Sequence, residues 1–358
     1  MMNRNRLTSW FIGNATLALM VSIIGHGTVR AQQQEPPPLN TVSIPRVQQP
    51  NAVPSINTSV NQAGGALEIP SLKLRSQPGY VQVTVTVTDS SGNYFTDLKQ
   101  DDFRVIDGGQ QRPIEWFRVD RSAPVSIGVI LDCSRSMEAK FPQARRAIGS
   151  MIDYLDPRDE IFLEAFSSRA GLVQPFTLDH ARIKERLSSL RPIEYTSLFD
   201  AILGGLDEMR HAKSDKRALL VVTDGMDNIS RTTRAQVISA ARRMRVLIYA
   251  IGIGDEVSNR QGKFLAGMFS PDDEVDMETL KDLSEETGAK AFNLRQVGDG
   301  AELVHDCETI SRELPCQYTV AYVLPDLGGP GYRTLRVDVP NHPELTVRVR
   351  KGVAVGRY

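Results

Sequence analysis

The chain has 358 residues, of which 41% are hydrophobic and 24% are charged. These proportions are typical of globular proteins and exclude both a wholly disordered chain and a polytopic membrane protein. The 42 basic residues nearly balance the 43 acidic ones, giving a formal net charge of -1. With no basic excess and no long Lys/Arg run, the sequence predicts no nucleic-acid partner. The length is enough for two folded domains.

Residues 1–70 are predicted to contribute no folded domain. A basic start (Met1–Arg6), an apolar stretch (Leu7–Ile24) and small residues before Gln32 predict a signal peptide cleaved after Ala31, and therefore an extracytoplasmic protein, periplasmic or secreted. Three polar residues interrupt the apolar stretch, which favours cleavage over a retained anchor. Only an uncleaved anchor would bring the chain to a membrane. Residues 32–70, rich in Pro and Gln, are predicted as a disordered linker.

Residues 71–121 are predicted as an N-terminal β segment. Valine alternates with polar residues from Val81 to Thr88, a pattern typical of a half-buried strand. Two further short strands are expected at Phe103–Ile106 and Ile114–Arg118. The sequence Asp107-Gly108-Gly109 between them suits the positive φ angles of a tight turn.

Residues 122–315 alternate buried-strand runs with amphipathic helices. This alternation predicts an α/β domain with a doubly wound, mostly parallel sheet, in which ligands bind beyond the carboxyl ends of the strands. The predicted strands are Val125–Leu131, Ile161–Phe166, Ala218–Val222, Val246–Ile253 and one near Phe292. The predicted helices begin near Phe141, Asp179, Ser197, Thr232, Met277 and Ala301.

Residues 316–358 return to short strands, predicted at Tyr318–Val323, Thr334–Val339 and Leu345–Arg350. Neither β segment has enough strands for a stable sandwich, so we expect 71–121 and 316–358 to pack together as an accessory all-β domain.

Two cysteines lie nine residues apart near the end of the α/β domain. In an oxidising compartment Cys307 and Cys316 are candidates for a disulfide with a short loop. The alternative is a pair of unbonded thiols. The sequence leaves both open, because a disulfide needs Cα atoms within about 7 Å of each other.

Polar side chains from three separate segments are predicted to meet at the carboxyl edge of the sheet. Asp132-Cys133-Ser134-Arg135-Ser136 follows the first core strand, Thr196 precedes a helix, and Asp224 ends another core strand. An Asp-x-Ser-x-Ser pattern alone is weak, because it also fits a helix N-cap. The three segments together are a strong signal.

In their order and spacing, these segments resemble the von Willebrand factor type A domain and its metal-ion-dependent adhesion site, over roughly Val125–Leu314. The β segments resemble those of exported bacterial proteins that carry such a domain. The resemblance implies Ser134, Ser136 and Thr196 as hydroxyl ligands, with Asp132 and Asp224 binding directly or through water. Cys133 lies where family members vary, and Tyr195 replaces a common glycine.

The donor chemistry agrees with this resemblance. Hydroxyl and carboxylate oxygens suit a hard cation such as Mg²⁺, with Mn²⁺ or Ca²⁺ as alternatives. A cation held largely by neutral hydroxyls accepts one more carboxylate. We therefore expect a metal-dependent protein-binding module for adhesion or complex assembly, whose protein partner presents an Asp or Glu carboxylate.

Two other functions stay open. A structural scaffold without metal-dependent binding would use the same fold. A Mg²⁺-dependent hydrolase is disfavoured, because the positions after Asp132 hold serines in place of a second acid. A serine hydrolase is disfavoured because the chain lacks a Gly-x-Ser-x-Gly turn. We therefore expect a non-enzymatic protein.

Overall fold

The structure, a computed structural model, describes most of the chain from residue 79 onwards. The described residues are 79–119, 121, 123–167, 170–192, 196–224, 227, 229–254, 276–294, 300–324 and 331–355. The predicted signal peptide and linker lie outside them. Within the described ranges, no helix has the length and apolar character needed to cross a membrane.

Most of the strands and helices occur where the periodicity of the sequence predicts them. The described strands are β1 (Tyr80–Thr88), β2 (Arg104–Asp107), β3 (Gln110–Arg112), β4 (Trp116–Val119), β5 (Val125–Asp132), β6 (Glu160–Phe166), β7 (Ala170–Thr177), β8 (Lys216–Thr223), β9 (Leu247–Ile253), β10 (Ala291–Leu294), β11 (Tyr318–Val323), β12 (Gly331–Asp338), β13 (Thr346–Arg348) and β14 (Gly352–Val355). The described α-helices are α1 (Phe141–Asp153), α2 (His180–Ser189), α3 (Leu198–Glu208), α4 (Arg234–Met244), α5 (Met277–Thr287) and α6 (Ala301–Glu313).

A six-stranded sheet in the order β10-β9-β8-β5-β6-β7 forms the centre of the α/β part. Its strands pair in parallel, except that the edge strand β7 runs antiparallel to β6. All eight residues of β5 are buried, because helices cover both faces of the sheet. One buried hydrophobic cluster contains α1, α2 and α6, and the other contains α3, α4 and α5. The predicted fold class, a doubly wound and mostly parallel sheet, is confirmed.

Two antiparallel four-stranded sheets form the all-β part, in the orders β13-β1-β11-β4 and β14-β12-β2-β3. Each sheet combines strands from both ends of the described chain: β1 pairs with β11, and β2 pairs with β12. Valines of β1 and β12 contribute to one buried cluster. The hairpin between β2 and β3 turns at Gly108 and Gly109, with φ of 57° and 80°, a geometry that glycine adopts without strain.

The three cysteines of the chain are all described, and none forms a disulfide. Cys133 and Cys307 are buried, and Cys316 is partly buried. Of the two alternatives for Cys307 and Cys316, the structure therefore has the unbonded thiols.

Candidate metal centre

The carboxyl edge of the central sheet collects the predicted site residues because β5 and β8 are parallel neighbours. Asp132 is the last residue of β5, and Asp224 directly follows β8. Parallel strands end at the same edge, so both carboxylates lie there. Their exposed fractions are 0% for Asp132 and 3% for Asp224. Two acids so deeply buried need hydrogen-bonding or cationic partners.

The Asp132 carboxylate has a partner on each oxygen. The backbone N–H of Ser134 donates to Oδ1 at 2.8 Å, and the hydroxyl of Thr223 donates to Oδ2 at 2.6 Å. Burial raises the pKa of Asp132 to about 6, and the nearby Asp224 charge also raises it, while the Thr223 hydrogen bond lowers it. The loop after β5 is therefore folded back onto its own strand end and tied to β8.

The two serine hydroxyls continue the network to the second carboxylate. Ser134 Oγ and Ser136 Oγ are 3.0 Å apart, and Ser136 Oγ donates to Asp224 Oδ1 at 2.8 Å. Ser134 is buried, whereas Ser136 is exposed. Four of the five predicted ligands thus form one hydrogen-bonded group, open to solvent on the side of Ser136.

Thr196, the fifth predicted ligand, lies on the adjacent loop before α3 and is 5% exposed. The next residue, Ser197, fixes this loop to the carboxyl end of β6: its N–H and hydroxyl both donate to the Ser167 carbonyl, at 3.0 and 2.8 Å. Because β6 neighbours β5, Thr196 lies at the same edge of the sheet as the other four residues.

A second layer of polar contacts holds the start of α3 against the segment that follows β8. The Asp200 carboxylate accepts hydrogen bonds from the N–H groups of Arg231 and Thr232, at 3.1 and 2.9 Å. In return, the Asp200 N–H donates to Ser230 Oγ at 3.1 Å. These contacts connect the start of α3 to the segment before α4.

Lys140 is the site residue that the sequence analysis missed. Its Nζ donates to Asp224 Oδ2 at 2.7 Å, and both side chains are buried. With Lys140 protonated, two carboxylates and one ammonium leave the site with a formal charge of -1. The only signal in the sequence is a lysine at the start of an amphipathic helix, which ordinarily indicates a solvated position. Thr223 was also missed, although it is a hydroxyl directly after the apolar run from Ala218 to Val222.

The donor set of this site fits a hard divalent cation. Every predicted ligand offers oxygen, in the form of a carboxylate or a hydroxyl. Cys133 lies in the buried hydrophobic cluster that contains α1, and burial raises the pKa of its thiol to about 12. In the described part of the chain, no group of three or more His, Cys, Asp or Glu side chains is placed to hold a metal ion, so a cation here would need the hydroxyls. The Lys140 ammonium on Asp224 shows that the site attracts positive charge.

Comparison with known proteins places the α/β part in a family. The family model of the von Willebrand factor type A domain matches residues 126–304, half of the chain, and contains β5 through the start of α6. The chain belongs to the von Willebrand factor type A domain family. Domains of this family commonly mediate metal-dependent protein interactions.

One curated relative is similar to about half of the chain. An uncharacterized protein of Borreliella burgdorferi is 30% identical over 189 residues, which cover 48% of this chain and 54% of that protein. The chain thus spans about half the length of this curated relative.

Two solved structures have a similar arrangement at low identity. A von Willebrand factor type A protein from Catenulispora acidiphila is 13% identical with a TM-score of 0.46, covering 78% of this chain and 73% of that one. Proximal thread matrix protein 1 of the mussel byssus, solved with a zinc-occupied MIDAS motif, is 17% identical with a TM-score of 0.44, covering 58% and 49%. These distant similarities carry no information about the site of this chain.

Proposed function

We propose that the chain is a non-enzymatic, extracytoplasmic protein-binding module that holds a divalent cation and binds a partner carboxylate through it. The supporting observation is the hydrogen-bonded group that joins Asp132, Ser134, Ser136 and Asp224 across two strand ends, through the Ser134 backbone N–H and the two serine hydroxyls. Adhesion and complex assembly are both served by such a module.

Each site residue has a proposed role. Ser134, Ser136 and Thr196 would supply neutral hydroxyl ligands, and Asp132 and Asp224 would balance the charge of Mg²⁺, Mn²⁺ or Ca²⁺, directly or through water. A bound cation would supply a Lewis-acidic position for one further carboxylate, from an Asp or Glu of a protein partner. The exposed side of Ser136 is where a partner side chain has access.

The two alternatives predict different behaviour. A metal-free scaffold would keep the fold but show no cation binding, with Lys140 as the permanent partner of Asp224. A hydrolase would need a general acid next to the cation. The proton donors beside Asp224 are the Ser136 hydroxyl and the Lys140 ammonium, and both are engaged with the Asp224 carboxylate, which supports binding over hydrolysis.

Calorimetric titration of the full chain with Mg²⁺, Mn²⁺ and Ca²⁺ tests the proposal. We expect saturable binding that Asp132→Asn and Ser136→Ala each weaken by at least about tenfold, a typical effect of altering a metal site. The matched control is Asp276→Asn, which keeps a side chain able to cap α5 at an acid outside the site. An unchanged affinity in Asp132→Asn, or an equal loss in Asp276→Asn, would place the cation elsewhere. No binding by the wild type would favour the scaffold.

A further inference from the structure

An arginine-lined cavity of about 290 Å³ lies at the opposite end of the central sheet from the metal centre. It is enclosed by the start of β8, the end of α4 and the strand β1 of the all-β part. From Arg217 near the start of β8 to Asp224 beyond its end there are seven residues, about 23 Å at roughly 3.3 Å per residue. The polar and charged residues of its lining include Gln82, Asp215, Arg217, Arg242, Arg245 and Arg350.

The cavity lining has an excess of positive charge. Four of these residues are arginines and one is an aspartate, and with Glu286, the ion-pair partner of Arg242, the formal net charge of the group is +2 when all are ionised. The arginines come from three segments far apart in sequence, namely β8, the end of α4 and the segment before β14. Arg242 forms an ion pair with Glu286 and lies in the last turn of α4, where a cation interacts favourably with the helix dipole; neither partner accounts for Arg350.

Arg350 is a buried guanidinium whose charge is not matched. It is 8% exposed and donates to two backbone carbonyls, Gln82 O at 2.9 Å and Arg242 O at 3.4 Å. Its Nε has no acceptor, and neither has the buried Nε of Arg242. None of the ion pairs in the described ranges involves Arg350. Burial, together with the charges of Arg245 and Arg242, lowers the pKa of Arg350 to about 10. A buried cation of this kind needs an anion.

The backbone conformation of Arg245 is a second observation, independent of the burial of Arg350. Arg245 ends α4 with a φ of 56° and, among the described residues, is the only non-glycine residue with positive φ. Glycine is the usual residue at such a position, and the end of α5 has Gly288 there. The Arg245 side chain reaches over the cavity to Gln82 Oε1 at 3.3 Å. An arginine in a strained backbone conformation indicates a functional role for its charge.

We propose that this cavity binds a phosphate-type dianion, either inorganic phosphate or a small phosphate monoester. A tetrahedral dianion presents oxygens in several directions, which suits guanidinium groups that converge from three segments. A dianion also brings two negative charges to the converging arginines, whereas a monocarboxylate brings one. A volume of about 290 Å³ is at the lower end for small-molecule sites. Because β1 forms one wall, the bound anion would link the all-β part to the α/β part.

Calorimetric titration of the full chain with inorganic phosphate, in metal-free chloride buffer at pH 7, tests this proposal. We expect saturable binding that Arg350→Gln and Arg245→Gly each weaken about 10- to 100-fold. Glycine tolerates positive φ, so Arg245→Gly should melt no lower than the wild type without phosphate, which separates lost affinity from lost folding. The matched control, Arg243→Gln, removes a neighbouring exposed arginine that does not line the cavity, and its affinity should stay unchanged. Absent binding, a wild-type affinity in Arg245→Gly, or an equal loss in Arg243→Gln would each overturn the proposal.

Two further titrations identify the source of the anion. Binding of glycerol 3-phosphate more tightly than inorganic phosphate would assign the cavity to a phosphate monoester, and the reverse order would assign it to free phosphate. Acetate binding as tightly as phosphate would contradict the dianion assignment. Asp132→Asn should bind phosphate like the wild type, because its carboxylate lies at the far edge of the sheet.

Discussion

Lys140 and Asp224 form a buried ion pair inside the proposed metal site, and this pair determines how the site behaves without metal. The Lys140 ammonium contacts Asp224 Oδ2 at 2.7 Å, while Asp224 Oδ1 accepts from Ser136. A divalent cation and the ammonium would therefore compete for the same carboxylate. The lysine would stabilise the metal-free protein and weaken the affinity for metal.

The variant Lys140→Met separates these two effects. Its free energy of unfolding in EDTA should fall by about 3 to 5 kcal/mol, because Asp224 is left buried without its partner. Its affinity for Mg²⁺ should rise, because no ammonium has to be displaced. Denaturant titration and calorimetry measure the two quantities. The control Lys184→Met removes a lysine of the exposed pair with Asp153 and should change both very little. A Mg²⁺ affinity that stays the same in Lys140→Met would show that the lysine does not compete.

Glu164 gives a second prediction for a single residue, concerning pH. It is 3% exposed on β6, and burial, with the charge of Glu208, raises its pKa to about 8. The unfolded chain releases this proton near pH 4.3 and the folded chain only near pH 8. Between these values the unfolded state binds fewer protons, so stability falls as pH rises.

Glu164→Gln should remove this part of the pH dependence, because glutamine is neutral throughout. The variant should be more stable than the wild type at pH 8 by an amount on the order of 3 kcal/mol, and this advantage should shrink at pH 5. Urea unfolding at both pH values measures it. The control variant Glu185→Gln removes an exposed acid. Its stability relative to the wild type should not change between the two pH values. An advantage that is equal at both pH values would contradict the account.

Among the elements, the central strand β5 shows how tightly the sheet and its helices are packed. A Cβ at Gly128 would lie 2.2 Å from Phe162 Cζ and 2.5 Å from Leu219 Cδ2, whereas a Cβ at Gly149 of α1 would have no atom within 4 Å. Close packing therefore excludes a side chain at Gly128, whereas Gly149 has room for one.

The matched pair Gly128→Ala and Gly149→Ala tests this difference. We expect Gly128→Ala to lower the free energy of unfolding by at least about 1 to 3 kcal/mol through overpacking. Gly149→Ala should raise it by about 0.5 to 1 kcal/mol, because alanine is the better helix former. Thermal denaturation of both variants measures the effects. A loss of stability in Gly149→Ala of the same size as in Gly128→Ala would contradict the packing described for β5.

The elements that sequence periodicity predicted are those that bury a regular apolar pattern, such as β1, β5 and α5. Three strands were missed for identifiable reasons. β7 contains Gly171 and Pro175, which an edge strand tolerates but a central strand does not. β3 consists of Gln110, Gln111 and Arg112 and depends on the glycine turn before it. β14 begins at Gly352, beyond Arg350 where the predicted strand Leu345–Arg350 ends, and its four residues are too few to show an alternating pattern.

For the whole molecule, a buried polar cluster around Glu313 joins the two parts of the fold. Glu313, at the end of α6, is 2% exposed and accepts a hydrogen bond from the Tyr249 hydroxyl of β9 at 2.6 Å. It also forms an ion pair with Arg348 of β13, and Thr86 of β1 contacts it at 3.4 Å. The central sheet, the last helix and the all-β part thus share one ion pair, in which Glu313 is buried and Arg348 is partly buried.

Arg348→Met should therefore destabilise both parts together. The free energy of unfolding should fall by about 3 to 5 kcal/mol, because Glu313 would remain buried without its cation. Denaturation followed by both far-ultraviolet circular dichroism and tryptophan fluorescence should show one coincident transition, since Trp10 and Trp116 are the tryptophans of the chain and Trp116 lies in β4 of the all-β part. Arg312→Met removes an exposed i,i+4 partner of Glu308 and should cost less than about 1 kcal/mol. Two separate transitions in Arg348→Met would show that the parts fold independently.

Sequence reasoning predicted the location of the candidate metal site because strand ends of a doubly wound sheet share an edge, so Asp132 and Asp224 had to be neighbours. It missed Lys140, because a buried ion pair across 84 residues leaves no local pattern. The arginine cavity was missed for the same reason, since Arg217, Arg245 and Arg350 meet only through the packing of the all-β part.

The most direct measurement for the central claim is anomalous diffraction from crystals of the chain grown with Mn²⁺. We predict one strong anomalous peak at the carboxyl edge of the sheet, within about 2.0 to 2.4 Å of oxygens of Ser134 and Ser136, with Lys140 moved away from Asp224 and a remaining coordination position filled by water or by a carboxylate of another molecule. A map without a peak there, with the Lys140–Asp224 pair intact at saturating Mn²⁺, would contradict the proposed metal-dependent site.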